Sequence, residues 1–305
     1  MSWFFIALIG PVLYAASNHI DKYLIEKYFK GGESGALILF SSLFSVVTLP
    51  VIYLIDPGVF SLDLTTIAVL VLNGMLTVVC IILYFKALQD DEASIVIPYY
   101  QTIPIFGFIL GYFFLGETLT LAQIISCGLI IAGTIILSLN FIDGKLKFKK
   151  KVAALMLLAS FLYAVGGVVF KIIAVEDGFW ASIFWDFFGS VLLGVILYFS
   201  ISSYRKQFLQ VIRMNSWGVM SLNAFNEIIF VVADGVFAYA TLLAPIALVM
   251  TVNGFQPAFV FLLGVTLTLF FPKLGRESVT ATGLAHKILA IGLIVEGAVF
   301  LSINF

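Results

Sequence analysis

The stretch Gly128-Leu-Ile-Ile-Ala-Gly133 returns near the end of the chain as Gly292-Leu-Ile-Val-Glu-Gly297. Further patterns recur in the same order along the two halves, so the second half repeats the first. We expect one repeat at 1–144, a basic connecting loop at 145–151 and a second repeat at 152–305. The other matched patterns are Tyr14-Ala15 and Lys22 with Tyr163-Ala164 and Lys171, and Pro104 and Gly111 with Pro257 and Gly264.

The composition places both repeats in a membrane. The 305-residue chain is 62% hydrophobic and 11% charged, with a mean hydropathy of +1.15. A soluble domain is nearer half apolar and a quarter charged. The apolar runs are continuous, whereas strands of a membrane barrel alternate, so we expect an all-α multi-pass protein of the cell membrane. A net charge of -1 gives no general attraction for nucleic acid.

Ten transmembrane helices account for the apolar runs, five in each repeat. Because five is an odd number, the two copies would cross the bilayer in opposite orientations, with a substrate site between them near the midplane. Breaks are expected at clusters such as Asp56-Pro-Gly58, Gly116-Glu-Thr118, Glu176-Asp-Gly178 and Tyr204-Arg-Lys206. The predicted spans are 3–28, 35–55, 64–86, 93–115, 119–141, 152–175, 179–202, 215–241, 245–271 and 279–303.

Basic residues collect on one side of this arrangement. Fifteen of the sixteen lysines and arginines fall at connections that share one membrane face, and Lys171 is the exception. The positive-inside rule then places these connections in the cytoplasm and both termini outside.

Two spans carry matching polar stripes. Tyr14, Asn18 and Lys22 follow one another at intervals of four in the first span, with His19 beside them. The sixth span repeats the stripe with Tyr163 and Lys171. Such groups default to a functional role inside a membrane. Alternatively, the lysines extend to the headgroups and the lone histidine is a satisfied core residue.

The eighth span carries two carboxylates, Glu227 and Asp234, on one face with Asn223. Carboxylates inside an apolar segment need partners or protons, which suits a proton relay. The alternative is a structural ion pair, for instance Glu227 with Lys171. Asp186 of the seventh span is expected to bond a neighbouring helix.

Prolines interrupt the fourth and ninth spans at matched positions, Pro104 and Pro257. Proline bends a helix and frees a backbone carbonyl, and paired interruptions in two repeats point to a binding site. Polar residues precede both prolines. The complete predicted cavity set is Tyr14, Asn18, His19, Lys22, Tyr84, Tyr100, Gln101, Tyr163, Lys171, Asn223, Asn253 and Gln256.

The segment from Leu115-Gly-Glu-Thr to Ile-Ile-Ala-Gly133 resembles the end of an EamA-type repeat of the drug/metabolite transporter superfamily. The resemblance implies a carrier that exports or exchanges small metabolites such as amino acids. It also implies a central cavity lined by helices 1, 3, 4, 6, 8 and 9, a structural role for Glu117 at its turn, and cytoplasmic termini. The matching motif in the second repeat is reduced to Leu274-Gly-Arg-Glu-Ser278.

The sequence therefore predicts a secondary transporter that works by alternating access, with Glu227 and Asp234 coupling transport to protons. Its expected partners are a small-molecule substrate and membrane lipid. We find no metal-ligand spacing, no cofactor motif and no ATP-binding motif. The alternatives are a translocator of lipid-like molecules, a channel, and a hydrolase using Asp186 and Asp234, which no enzyme motif supports.

Overall fold

The structure is a computed structural model that describes residues 2–27, 34–90, 97–138, 150–214, 217–270 and 281–303. These residues form helices joined by short connections. Three-residue to six-residue 3-10 turns lie at Ser45–Val47, Pro57–Phe60, Ile97–Thr102 and Asn253–Phe255, and a π-helical turn at Gly111–Leu115. The α-helices are α1 (Ser2–Lys27), α2 (Ser34–Phe44), α3 (Thr48–Ile55), α4 (Leu64–Asp90), α5 (Ile103–Leu110), α6 (Leu121–Ser138), α7 (Lys150–Asp177), α8 (Phe179–Ser200), α9 (Ser202–Met214), α10 (Trp217–Leu243), α11 (Ile246–Val252), α12 (Gln256–Phe270) and α13 (Ala281–Ile303).

Seven helical stretches are long and apolar enough to cross a membrane, and the all-helical multi-pass prediction is confirmed. Three further apolar stretches are shorter, at Tyr99–Leu115, Leu121–Ile136 and Ile288–Leu301. The arrangement of ten transmembrane spans in two inverted repeats therefore stays a prediction. The seven long stretches are Trp3–Asp21, Gly35–Ile55, Leu64–Ala87, Lys150–Asp177, Phe179–Ser200, Trp217–Leu243 and Ile246–Phe270.

Three of the predicted breaks lie where the sequence places them. Pro57 starts a 3-10 turn after α3, and Gly116 and Gly178 adopt left-handed backbone with φ of 64° and 95°. Glycine is favoured in such conformations because it has no Cβ. Residues 145–149 of the predicted basic loop lie outside the described residues, and its last two residues, Lys150 and Lys151, begin helix α7.

The predicted break at Tyr204-Arg-Lys206 does lie between two spans, but these residues form the short helix α9 rather than an irregular loop. Phe208 and Val211 of α9 are three residues apart and pack against Leu24 and Phe40 of α1 and α2. Charged side chains occupy other faces of α9, which is typical of an amphipathic helix at a membrane surface. The Gln207 side chain also accepts a hydrogen bond from the Gly35 N–H at 3.0 Å, in the first turn of α2.

Helices α6 and α13 pack together through the matched glycine motif. A Cβ on Gly133 would lie 2.8 Å from the Ala290 carbonyl oxygen, and one on Gly297 would lie 3.0 Å from the Ser126 carbonyl oxygen. Gly128 and Gly292, the other matched pair, would meet nothing within 4 Å. The matched positions thus have the same surroundings in the two helices, with the second glycine of each motif permitting close approach.

Both predicted proline interruptions coincide with a change of helix type. Pro104 is the second residue of α5 and follows the 3-10 turn Ile97–Thr102, and Pro257 is the second residue of α12 after the turn Asn253–Phe255. Proline lacks an N–H and suits the first turn of a helix, so each residue starts a new α segment. The chain therefore departs from regular α-helix at corresponding places in its two halves.

Candidate functional site

A cavity of about 90 Å³ lies among helices α4, α7, α8, α10 and α11. Its wall is mainly apolar, with a few polar side chains that converge on it, as in small-molecule sites. These helices correspond to the third, sixth, seventh, eighth and ninth predicted spans, so the seventh span adds to the implied set. The polar lining residues are Asn73, Thr77, Cys80, Tyr163, Asp186, Asp234 and Thr241.

Asp234 of α10 lies at one end of a small polar network. The Tyr14 hydroxyl of α1 donates a hydrogen bond to Asp234 Oδ1. The Tyr163 hydroxyl of α7 lies beside that of Tyr14 and within electrostatic range of Asp234. Two tyrosines that the sequence comparison matched between the halves thus meet at one carboxylate.

Asp186 of α8 lines the same cavity as Asp234 of α10. Asn73 of α4 donates a hydrogen bond from Nδ2 to Asp186 Oδ1 at 2.7 Å. Glycines set this contact: a Cβ on Gly74 would overlap the Asp186 carbonyl oxygen, and one on Gly189 would overlap the Val71 carbonyl oxygen. Since neither glycine carries a side chain, α4 and α8 approach closely enough for Asn73 to reach Asp186.

Asp186 and Asp234 interact electrostatically with one another. The described residues that line the cavity include neither lysine nor arginine nor histidine. Both carboxylates are therefore held by neutral donors alone. A buried charge without a counterion is costly, so this arrangement requires either protons or a positively charged ligand.

A second acidic cluster lies further along α10. Ser41 donates to Glu227 Oε1 at 3.1 Å, and Asn226 Nδ2 donates to Asp21 Oδ1 at 2.6 Å. Asp21 and Glu227 interact electrostatically, and Glu227 is only 5% exposed. Glu227 and Asp234 are seven residues apart, which is about 10 Å along the helix.

Tyrosines lie between the two acidic groups. Tyr84 stacks on Tyr100 with ring centroids 5.5 Å apart. Tyr84 interacts electrostatically with Asp21, and Tyr100 with Cys80 and Tyr163, both of which line the cavity. Polar groups thus connect the Asp21 and Glu227 cluster to the cavity.

Lys171 lies outside the cavity, in a buried cross-link between the halves. Its ammonium donates to Glu117 Oε1 at 2.5 Å and to the Ala244 carbonyl oxygen at 2.7 Å. Glu117 Oε2 accepts from the Ile246 N–H at 2.7 Å, at the start of α11. The alternative in which Lys171 extends to the headgroups is therefore wrong, as is the proposed pair of Lys171 with Glu227.

The cross-link shows which groups Glu117 holds in place, namely the Lys171 ammonium and the Ile246 N–H. Gly116 turns the chain in the left-handed region, and a Cβ on Gly111 would lie 3.0 Å from Glu117 Oε2. The two glycines therefore turn the chain and make room for the carboxylate, which then satisfies the N-terminus of a helix from the second half.

Other predicted cavity residues lie elsewhere. His19 Nε2 is 2.9 Å from the Val260 carbonyl oxygen, so the histidine is bonded to the backbone of α12 rather than facing the cavity. Asn18 is exposed and does not line the cavity. The side chain of Lys22 lies outside the described residues. Gln101 and Asn223 are buried, and Asn253 and Gln256 half-buried, all away from the cavity lining.

Sequence reasoning missed Asn73 entirely and assigned Asp186 a structural bond. That bond exists, to Asn73, but both residues also line the cavity. Asn73 immediately precedes Gly74 in an otherwise apolar span, and this pairing of an amide with a close-contact glycine is the signal that could have identified it. In the part of the chain that is described, no group of three histidine, cysteine or acidic side chains could hold a metal ion.

Residues 1–139 match the model of the EamA-like transporter family. An uncharacterized protein of Methanocaldococcus jannaschii is 40% identical over 70 residues, which are 23% of this chain and 51% of that protein. The chain thus spans about half the length of that relative. A solved crystal structure of a protein covers 99% of this chain and 97% of its own with a TM-score of 0.67, and at 14% identity it shows a shared fold alone.

Proposed function

Because residues 1–139 match the model of the EamA-like transporter family, we propose that this multi-pass membrane protein is a secondary active carrier. It would export or exchange small polar or amphipathic metabolites, such as amino acids, by alternating access between two inverted five-helix repeats. The observation that carries the proposal is the cavity between the helices, which Asp186 and Asp234 line from helices of the second half and Asn73 from a helix of the first half.

The buried cross-link supports alternating access. The cross-link joins the C-terminal part of α7 at Lys171, the connection at Glu117 and the α10–α11 turn at Ala244, which the predicted topology places towards one membrane face. In the proposed cycle, these bonds hold that face closed. Opening it requires the ion pair to separate, so the cross-link acts as one gate of the carrier.

The spacing of carboxylates on α10 supports proton coupling through Glu227 and Asp234. Asp21 of α1 and Ser41 of α2 face Glu227, whereas Tyr14 of α1 and Tyr163 of α7 face Asp234. A proton that moves between the two acidic groups would leave one site free when the other is occupied. In a proton-coupled carrier, this proton movement would drive substrate transport in the opposite direction to the proton.

Uptake and counterflow in proteoliposomes test the proposal. Labelled amino acids, amines and related metabolites are screened with and without a proton gradient. Saturable exchange stimulated by substrate on the opposite side is expected for a carrier. Flux that does not saturate would indicate a channel instead, and no flux of any solute by folded protein would refute transport of small metabolites.

Glu227→Gln is expected to abolish proton-driven flux while the protein remains folded. Glutamine keeps the shape of glutamate and an acceptor for the Ser41 hydroxyl, but it cannot take up or release a proton. Glu176→Gln, at an exposed position near the end of α7, is the matched control and should transport normally. Gradient-dependent uptake that is unchanged in Glu227→Gln would remove Glu227 from the mechanism.

A further inference from the structure

We propose that the cavity binds the ammonium group of a small amphipathic amine, held by Asp186, Asp234 and Asn73. The inference rests on the proposed function only in identifying this bound amine with the transported molecule. It narrows the substrate from polar metabolites in general to organic cations with an apolar body. It also excludes free carboxylic acids and disfavours zwitterions, including the amino acids given above as examples of transported metabolites.

The first argument is the balance of hydrogen-bond donors and acceptors. Asn73 is 7% exposed, and its Nδ2 is bonded to Asp186. Among the described residues, none donates to the side-chain oxygen Oδ1 of Asn73, although Asn73 lines the cavity. With the free oxygens of Asp186 and Asp234, the wall offers acceptors from three side chains. A primary ammonium carries three N–H donors and no acceptor, so it matches this set.

The second argument is charge. Each carboxylate has a single neutral hydrogen-bond donor, Tyr14 for Asp234 and Asn73 for Asp186. The Glu117 carboxylate, by contrast, is paired with the Lys171 ammonium. The cavity carboxylates lack this, and an entering cation would supply the missing charge in a low-dielectric site where the attraction is strong.

The third argument is the apolar wall. Phe170, Phe187 and Phe237 line the cavity together with aliphatic side chains. Aromatic faces attract cations and also bury apolar groups. The described lining has no cationic side chain to receive a carboxylate, so an anionic head would face two like charges.

Equilibrium binding to the purified full-length protein in nanodiscs tests the inference without requiring transport. Four probes share a phenyl body and differ in the head: 2-phenylethylamine, 2-phenylethanol, 3-phenylpropanoate and phenylalanine. Isothermal titration calorimetry at neutral pH should rank the amine first. The alcohol should bind at least about tenfold more weakly, since a hydrogen bond to a charged group is worth more than a neutral one.

Variants locate the site. Asp186→Asn and Asp234→Asn should each weaken amine binding by about tenfold or more, whereas Asp177→Asn, the same change at an exposed position, should not. Equal binding of amine and alcohol overturns the inference, as does full amine affinity in both cavity variants or no amine binding at millimolar concentration. The ranking of probes uses the unaltered protein, so it decides the matter even where a variant fails to fold.

The two proposals fail separately. Amine binding without flux in proteoliposomes would keep the site and refute the carrier. Saturable flux of a different solute, without amine binding, would keep the carrier and refute the cationic substrate.

Discussion

Removing the Lys171 side chain should destabilise the protein strongly, because its partner is buried. The side chains of Lys171 and Glu117 are 10% and 16% exposed, and the ion pair is 2.5 Å long. In Lys171→Met, Glu117 keeps only the Ile246 N–H as a donor, and the Ala244 carbonyl oxygen loses its lysine partner. Leaving one charge of a buried pair uncompensated costs about 3–5 kcal/mol.

A double variant makes this prediction specific. Lys171→Met combined with Glu117→Gln removes both charges, and the glutamine oxygen can still accept from the Ile246 N–H. Replacing a whole buried pair is often nearly neutral, so the double variant should recover most of the stability that Lys171→Met loses. Such a recovery would show that Lys171→Met loses stability because the Glu117 carboxylate is left without a counterion, not because packing is lost.

Reversible unfolding in mixed micelles, with increasing denaturing detergent and detection by circular dichroism, measures these free energies. Lys206→Met changes an exposed lysine of α9 and is the matched control, expected to leave the unfolding free energy nearly unchanged. A loss below about 1 kcal/mol in Lys171→Met, in the range of exposed ion pairs, would refute the buried cross-link. A double variant no more stable than the single one would refute the reasoning from charge.

Two further predictions concern helix packing and capping. Gly133→Ala should lower the unfolding free energy by about 1–3 kcal/mol because its Cβ would crowd α13. Gly128→Ala, whose Cβ would point into open space, is the control and should be neutral or slightly stabilising. The same detergent titration compares the two variants, and equal effects would contradict the described packing of α6 on α13. The Asp63 carboxylate caps the start of α4 by accepting hydrogen bonds from Thr65 and Thr66. The bonds from the Thr66 side chain and backbone hold the pKa of Asp63 below its ordinary value. The stabilisation by this cap is therefore complete above the ordinary pKa and is lost as the pH falls through the lowered pKa. Amide exchange at Thr66, followed from neutral to acidic pH with Asp63→Asn as comparison, should show protection that declines with acid in the unaltered protein; protection that is independent of pH would contradict the cap.

The cavity is where the sequence was least informative. A polar residue in a membrane span suggests a functional role, and this signal drew attention to Asp234 and Tyr163, both of which line the cavity. The same signal applied equally to His19, Asn18 and Lys171, which lie elsewhere. Spacing along one helix shows which side chains share a face, but it does not show which neighbouring helix covers that face.

The sequence by itself determined that the protein is an all-helical, multi-pass membrane protein whose first half resembles the EamA-like transporter family. These follow from local physics, because continuous apolar runs must form helices in lipid, and clusters of polar, glycine and proline residues favour breaks between them. Only the tertiary structure decided which charges meet. Glu117 reaches Lys171 across 54 residues and Asn73 reaches Asp186 across 113. Such partners are set by how closely two helix backbones approach, and at Gly74 and Gly189 that approach depends on atoms from both helices at once.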